Sequence, residues 1–392
     1  PTLVYHGCWA GMCIATSDDD DLIHWTKSPH NPVIPDVQDE DPSFGVYNVF
    51  DPHPWVEGDT AYVALGAKVK PHNLYDTLYL FSSKDMIHWD YQRQFYAPNP
   101  EWTGPEEDCA CPDFFKLGDR YMLSCISHPR GARYYLGRYE YGTFIPEEHH
   151  RMNFPGGSCF APESLLDDTG RRVFWAWVLD QRRGDGPGHG LGVMTMPRIF
   201  TLDGAGQLQI NPPAEFEQLR ENPRSKADLA LKPDVELALP EFAGDVMELA
   251  LDATVPADGK LTLFVRTSGD GAERTGIVYD PAAGTLSVDA ERTTLAGNVL
   301  YGWKLMFDGW HEDVRIQTAP LELAPGEPLS LRVFLDKSIM EVYANGKQCI
   351  TQRLFPTKPD ATGVSVLAAS APATVHTLNA WDMKTTNGVT AT

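Results

Sequence analysis

The sequence predicts an all-β protein in two parts, a β-propeller followed by a β-sandwich, and three observations carry that expectation. The first half is a succession of short runs rich in Tyr, Val, Leu and Phe, bounded by Gly, Pro, Asp and Asn; runs of this kind read as strands between turns. A pentapeptide recurs within that half at blade-like spacing. Beyond about residue 236 the apolar–polar alternation becomes regular, with turn signals between the runs, as in an antiparallel sandwich.

Composition bounds the possibilities. At roughly 100–200 residues per domain, 392 residues suggest two domains. An apolar share of 42% supplies buried cores and argues against a disordered chain. No run approaches the roughly 18–20 apolar residues of a spanning helix. A formal charge of −22 repels phosphate backbones, which argues against nucleic acid while leaving neutral sugars open. The chain opens at Pro1 without an initiator Met or a signal-like segment, which reads as a processed chain or a fragment.

In chain order, Thr2–Tyr5, Ala61–Leu65, Thr77–Phe81, Tyr121–Ser124 and Arg172–Trp177 are the clearest strands of the first part. Asp21-Leu-Ile-His-Trp25 returns as Asp85-Met-Ile-His-Trp89, 64 residues later, each copy following a strand that ends near a serine, Ser17 or Ser83. Further units fall at Tyr121–Pro146 and Val173–Pro212, giving about four. One several-stranded unit per 45–65 residues is a propeller blade in sequence. The propeller is therefore placed at 1–215. Residues 216–235, with Glu217-Gln-Leu-Arg220, Asn222-Pro223 and Lys232-Pro233, read as a linker. The sandwich follows at 236–385, where Leu329–Leu335 and Ile339–Tyr343 alternate and Asn345-Gly346 turns the chain into Gln348–Gln352. A tail, 386–392, ends the chain.

Seven cysteines is an odd number, and Cys109 and Cys111 stand too close for an ordinary bridge; they read as small buried hydrophobes. No spacing demands a metal, and no cofactor is implied. The sequence has no Asn-X-Ser/Thr sequon, so the compartment stays open, a secreted or periplasmic location standing slightly ahead of a cytoplasmic one.

Three acidic segments carry candidate chemistry. Val49-Phe-Asp51-Pro-His-Pro-Trp55 holds Asp51 between a run and a strand, where a carboxylate can bind sugar hydroxyls or stabilise a developing cation; it also reads as a turn-capping Asp before proline. Glu106-Glu-Asp-Cys-Ala-Cys-Pro-Asp113 sets acids beside an apolar wall, which suits a general acid, or is a solvated loop entering a strand. Phe160-Ala-Pro-Glu163-Ser precedes Trp175-Ala-Trp177, whose indoles either stack on sugar or fill the core.

Taken in order, these segments resemble glycoside hydrolase family 32, the invertase, inulinase and levanase group. Pro1-Thr-Leu-Val-Tyr-His-Gly7 and Cys13-Ile-Ala-Thr-Ser17 look like the second blade. Asn31-Pro-Val-Ile34 and Phe50-Asp-Pro52 are similar to the approach to the family's Arg-Asp-Pro motif, and Cys111-Pro-Asp113-Phe-Phe115 to its Glu-Cys-Pro-Asp motif. Phe160-Ala-Pro-Glu163, Met196-Pro-Arg198 and Glu217–Arg220 fit the last blade and its exit. Leu331–Asp336 with Glu341–Asn345 is similar to the sandwich signature. The resemblance implies a five-bladed propeller whose first blade is missing from this chain, a β-sandwich, and retaining hydrolysis or transfer of β-fructofuranosyl units. It implies Asp51 as transition-state stabiliser, position 110 as the acid/base, and Phe50, Cys111, Glu163 and Trp177 as substrate-binding. The partners implied are a fructose-containing oligo- or polysaccharide and the missing N-terminal blade, with no nucleic acid and no membrane.

The departures are equally specific. No Asn-Asp-Pro-Asn motif, the family's nucleophile segment, occurs here; the acid/base position holds Ala110; Phe50 replaces the Arg before Asp51. Ala110 cannot donate a proton, so the chain as written is expected to lack normal leaving-group protonation. Either the residue is an engineered knock-out, or the protein has become a silent fructan-binding module, or Glu106, Glu107 or Glu163 protonates instead, or the chain is a related arabinosyl furanosidase, against which the sandwich signature argues. A shift of three or four residues along an extended loop moves a carboxylate by about 10 Å, which disfavours Glu106 and Glu107.

Overall fold

Short apolar runs punctuated by turn formers leave little scope for helices. Among the described residues of the computed structural model (1–7, 11–38, 41–182, 192–302 and 312–385) only the 3-10 turns Ala214–Leu219 and Pro240–Phe242 interrupt the strands. The expected tail and Cys8 lie outside the described residues. The chain forms two compact units, residues 1–151 with 160–164, and residues 152–159 with 165–392.

The first unit contains three antiparallel sheets in chain order. Thr2–Gly7 pairs with Gly11–Thr16, which also holds the short strands Thr26–Lys27 and Ile34–Pro35. Pro52–Glu57, Thr60–Val69, Leu74–Ser83 and Asp90–Gln94 follow as a second meander. Ala110–Leu117, Arg120–Ser127, Gly131–Glu140 and Thr143–Arg151 make the third. Neighbouring-strand order of this kind is what a propeller blade requires. Apolar side chains fill the spaces between sheets. Met12, Ile34, Val63, Leu65, Tyr79 and Phe81 cluster on one side of the second meander. Leu78, Leu80, Phe95, Phe114, Leu123 and Phe144 cluster on its other side.

The repeated pentapeptide is a turn. Ser17 Oγ accepts the Asp19 N–H at 3.1 Å, and Ser83 Oγ accepts the Asp85 and Met86 N–H groups at 3.3 and 2.8 Å. Asp19 then accepts from the backbone of Ile23 and His24 as Asp85 does from Ile87 and His88. Leu22 and Met86 both take positive φ, 54° and 59°. The spatial equivalent of Asp85 is thus Asp19, not the sequence-aligned Asp21, because the first copy carries two extra aspartates.

The second unit contains a sheet built on Arg172–Val178, Val193–Met194, Arg198–Leu202 and Leu208–Asn211. Two six-stranded sheets follow. One runs Arg220–Leu231, Ala373–Met383, Val246–Thr254, Leu329–Asp336, Ile339–Ala344, Gln348–Arg353. The other runs Leu237–Ala238, Gly363–Ala369, Lys260–Thr267, Thr275–Asp280, Thr285–Asp289, Ile316–Pro320. Their shared core includes Leu249, Leu251, Leu263, Val265, Val333, Val342, Ile350 and Val366. Asn345 and Gly346, at φ 52° and 66°, make the expected hairpin turn, positive φ being what Asn and Gly tolerate. Arg198, fully buried, donates from Nη2 to Glu341 at 2.8 Å and to Thr351, and Tyr343 donates to Glu341 at 2.9 Å.

Residues 216–235, expected to be a linker, are regular structure instead. Arg220–Leu231 is a twelve-residue edge strand paired with Ala373–Met383 through a register shift between Glu221 and Arg224. Most of its side chains face solvent, so its composition imitates a linker; Pro223 falls at the irregularity, where a strand tolerates it. The six described cysteines are unpaired thiols, five of them buried.

Candidate active site

Three strands whose openings fall in the first unit share the form X-Pro-Y there: Asp51-Pro52-His53, Cys111-Pro112-Asp113 and Ala161-Pro162-Glu163. They begin or lie near the start of Pro52–Glu57, Ala110–Leu117 and Cys159–Leu166. Proline is tolerated at such positions because a strand start leaves an N–H unneeded by the ladder. Cys111 and Ala161 both occupy the left-handed region, at φ 44° and 40°. Side chains other than glycine rarely adopt it, and such strain persists where surrounding structure enforces it.

These openings bring their polar residues together. Asp51 Oδ2 accepts the backbone N–H of Cys111 at 2.9 Å and its thiol at 3.4 Å. Burial, and then the Asp51 carboxylate, push the Cys111 thiol well above its ordinary range. Asp113 is 1% exposed; its Oδ2 accepts the Ser164 hydroxyl at 2.5 Å, and its Oδ1 lies 3.8 Å from His53 Nδ1. His53 is fixed in turn by Nε2, which donates to the Phe114 carbonyl at 2.8 Å. Glu163 completes the group. Its surface reaches solvent, yet protein crowds the carboxyl. That burial, followed by the charges of Asp113 and Asp51, raises its pKa to about 8. Like-charged neighbours and a poorly solvated site both favour the neutral acid.

Close backbone approach sets the frame. Gly66 donates its N–H to the Asp51 carbonyl at 3.2 Å, and Cys109 donates to Ala67 at 3.0 Å. A Cβ on Gly66 would stand 2.4 Å from the Cys109 carbonyl oxygen, so the second and third sheets meet here only because residue 66 has no side chain.

The other candidates divide. Ala110 is fully buried at the head of its strand, opposite Ile126, and brings no titratable group. The Phe50 ring packs between His6 and His128, at centroid distances of 5.3 and 6.0 Å, and brings no hydrogen-bond donor beside Asp51. His128 is held by Asp108, through its backbone N–H at 2.9 Å and Nδ1 at 2.5 Å. Trp177 belongs to the second unit, half-buried and paired opposite Met194.

The acidic loop is corrected by its surroundings. Glu107 is 2% exposed and receives Arg133 at 2.8 Å, Arg151 at 2.7 and 3.0 Å, and the Gly104 N–H at 3.1 Å. Burial alone would raise its pKa, but the Arg151 hydrogen bonds and the Arg133 charge outweigh that and hold it at about 2. Glu106 pairs with Arg130 at 3.1 Å. Neither is placed to supply a proton. His53 and Ser164 were given no role in the sequence reading, and Asp113 entered it only within the acidic segment and the Cys-Pro-Asp motif; a proline directly before His53, Asp113 and Glu163 is the local feature these residues share.

Comparison with known proteins gives the frame in which this geometry is read. Residues 8–212 match the model described as Glycosyl hydrolases family 32 N-terminal domain, and residues 215–382 the model described as Glycosyl hydrolases family 32 C terminal. The chain is 25% identical over 312 residues to the sucrose-6-phosphate hydrolase of Staphylococcus xylosus, covering 74% of this chain and 57% of that enzyme. It is 26% identical over 422 residues to the fructan 6-exohydrolase of Beta vulgaris, covering 93% of this chain and 68% of that enzyme. It thus spans little more than half to two thirds of these relatives. Among solved structures, fructan 1-exohydrolase IIa from Cichorium intybus superposes with a TM-score of 0.80 at 21% identity, over 98% of this chain and 81% of that one. A variant of that enzyme in complex with 1-kestose superposes equally well. At that identity the likeness establishes the propeller–sandwich fold.

Proposed function

The chain belongs to glycosyl hydrolase family 32, and from that premise we propose that it takes part in cleaving, or transferring, β-fructofuranosyl units of sucrose or fructans with retention of configuration. The observation that carries this reading is the meeting of Asp51, Asp113 and Glu163 at the openings of strands in one unit. Retention requires a carboxylate nucleophile and an acid/base about 5–5.5 Å apart, passing through an oxocarbenium-like transition state. In this reading Asp51, anchored by the Cys111 N–H, accepts hydroxyls of the fructosyl ring and supplies negative charge beside the developing cation. Phe50 gives the pocket wall an apolar ring, and Cys111 shapes the floor through its bond to Asp51. In this reading the nucleophile, which retention requires, is assigned to an N-terminal blade of the same protein.

The test is liberation of fructose by the full-length protein from sucrose, 1-kestose, inulin and levan. Release from at least one is expected, and a folded protein that releases none overturns the proposal. Ala110 favours one other reading, a silent fructan-binding protein. Calorimetric titration with short fructo-oligosaccharides would then show saturable heat without turnover.

A further inference from the structure

We propose that the proton donor of this protein has moved from position 110 to Glu163, on the opening of the next sheet's strand rather than on its own. The inference rests on the proposed function, since it names the acid that this reaction needs.

Geometry is the first support. Position 110 is a fully buried methyl group, so the leaving oxygen finds no acid there. Among the acids near that position in sequence or in space, Glu107 is bound by Arg133 and Arg151, Glu106 by Arg130, and Asp108 is paired with His128. Asp51 accepts from Cys111, and Asp113 is engaged by Ser164. Glu163 alone among these combines access to solvent with a carboxyl that no described residue hydrogen-bonds.

Position is the second support. Ala161-Pro162-Glu163 repeats the left-handed residue, proline and acid of Cys111-Pro112-Asp113. The adjoining Ser164 is tied to Asp113, which fixes the Glu163 strand against the strand carrying Ala110. A shift from one strand to its counterpart keeps the acid directed at the same group of carboxylates, which a shift along the 106–109 loop does not.

Electrostatics agree. The titratable groups facing Glu163 are the acids Asp113 and Asp51 and the Cys111 thiol, with His53 beyond Asp113 at 3.8 Å; among the described residues no cation acts on it. A carboxyl titrating at about 8 is neutral at pH 7 and can protonate a leaving oxygen. In the step proposed, the carboxylate nucleophile assigned to the N-terminal blade bonds to the anomeric carbon as the bond from that carbon to the glycosidic oxygen breaks, and the Glu163 proton passes to the departing oxygen. Water then attacks the same carbon and displaces the nucleophile carboxylate, giving its proton to the Glu163 carboxylate, which restores the acid.

The experiment compares Glu163→Gln with wild type, both as full-length protein, on sucrose and on β-fructofuranosyl fluoride, whose leaving group needs no protonation. Circular dichroism first establishes that the variant is folded. General acid catalysis contributes about 10²–10⁴-fold. A loss of that size in kcat/KM on sucrose is expected, with a much smaller loss in kcat/KM on the fluoride, whose first step needs no acid; azide should restore the kcat of the variant on the fluoride by replacing base-assisted water. The wild-type kcat on sucrose should fall as pH rises through about 8, and that limb should vanish in the variant. Equal losses on both substrates, or no loss on either, overturn the assignment to Glu163. Wild-type protein inert toward both substrates instead refutes the functional reading itself, so the two failures are distinguishable.

Discussion

Replacing Glu107 by Gln tests whether the acidic loop is a structural anchor rather than a source of protons. Glu107 lies beneath the loop, bound by Arg133 and Arg151 and by the Gly104 N–H. Its pKa is held at about 2 rather than near 4.5. At about 1.36 kcal/mol for each tenfold in proton affinity, the ionised carboxylate contributes about 3 kcal/mol to stability. Breaking one side of a buried ion pair costs about 3–5 kcal/mol by an independent route, so the two magnitudes agree. The sign follows from the depressed pKa. The contribution is fully present above about pH 4.5 and is lost as pH falls toward about 2. Urea denaturation of wild type and variant at pH 7, 5, 4 and 3 measures it. The variant should be about 3 kcal/mol less stable at pH 7, a fall of about 6–12 °C in Tm at 2–4 °C per kcal/mol. The gap should narrow steadily below pH 4.5, while kcat of the folded variant stays that of wild type. Equal stabilities at pH 7, or a gap indifferent to pH, would refute the ion-pair account.

Three further outcomes follow from the same geometry. Asp51→Asn should lower kcat/KM on sucrose or fructans by about 10²–10³-fold, the range for one preorganised electrostatic contact, with little change in Tm; wild-type kinetics would remove Asp51 from the site. Gly66→Ala places a Cβ 2.4 Å from the Cys109 carbonyl oxygen and should cost about 1–3 kcal/mol by overpacking, measured by thermal denaturation; an unchanged Tm would show that the second and third sheets can part there freely. Glu163→Gln should raise Tm relative to wild type increasingly between pH 5 and pH 9. The folded-state pKa of about 8 lies above the unfolded value, so the neutral carboxyl's contribution is full below about 4.5 and is lost as pH rises through 8. A difference in Tm that is flat with pH would contradict the raised proton affinity.

The strands and both β architectures were legible in the residues because side-chain alternation and turn chemistry act over a few positions. Thr77–Phe81, Arg172–Trp177 and Ile339–Tyr343 each lie inside an observed strand for that reason. The strand start that follows Asp51 was legible too, since its proline neighbour is local. Residues 216–235 were not. Their strand depends on pairing with Ala373–Met383, some 150 positions away, and an exposed edge strand carries the polar composition of a linker.

Which acid can hold a proton was likewise beyond the primary structure. Glu107 and Glu163 are the same side chain, yet one is held at about 2 and the other raised to about 8. Arg133 and Arg151, 26 and 44 positions from Glu107, decide the first, and burial of the carboxyl, followed by the charges of Asp113 and Asp51, decides the second. Proton affinity depends on charge and solvent within a few ångströms in space, and only the folded chain sets those distances.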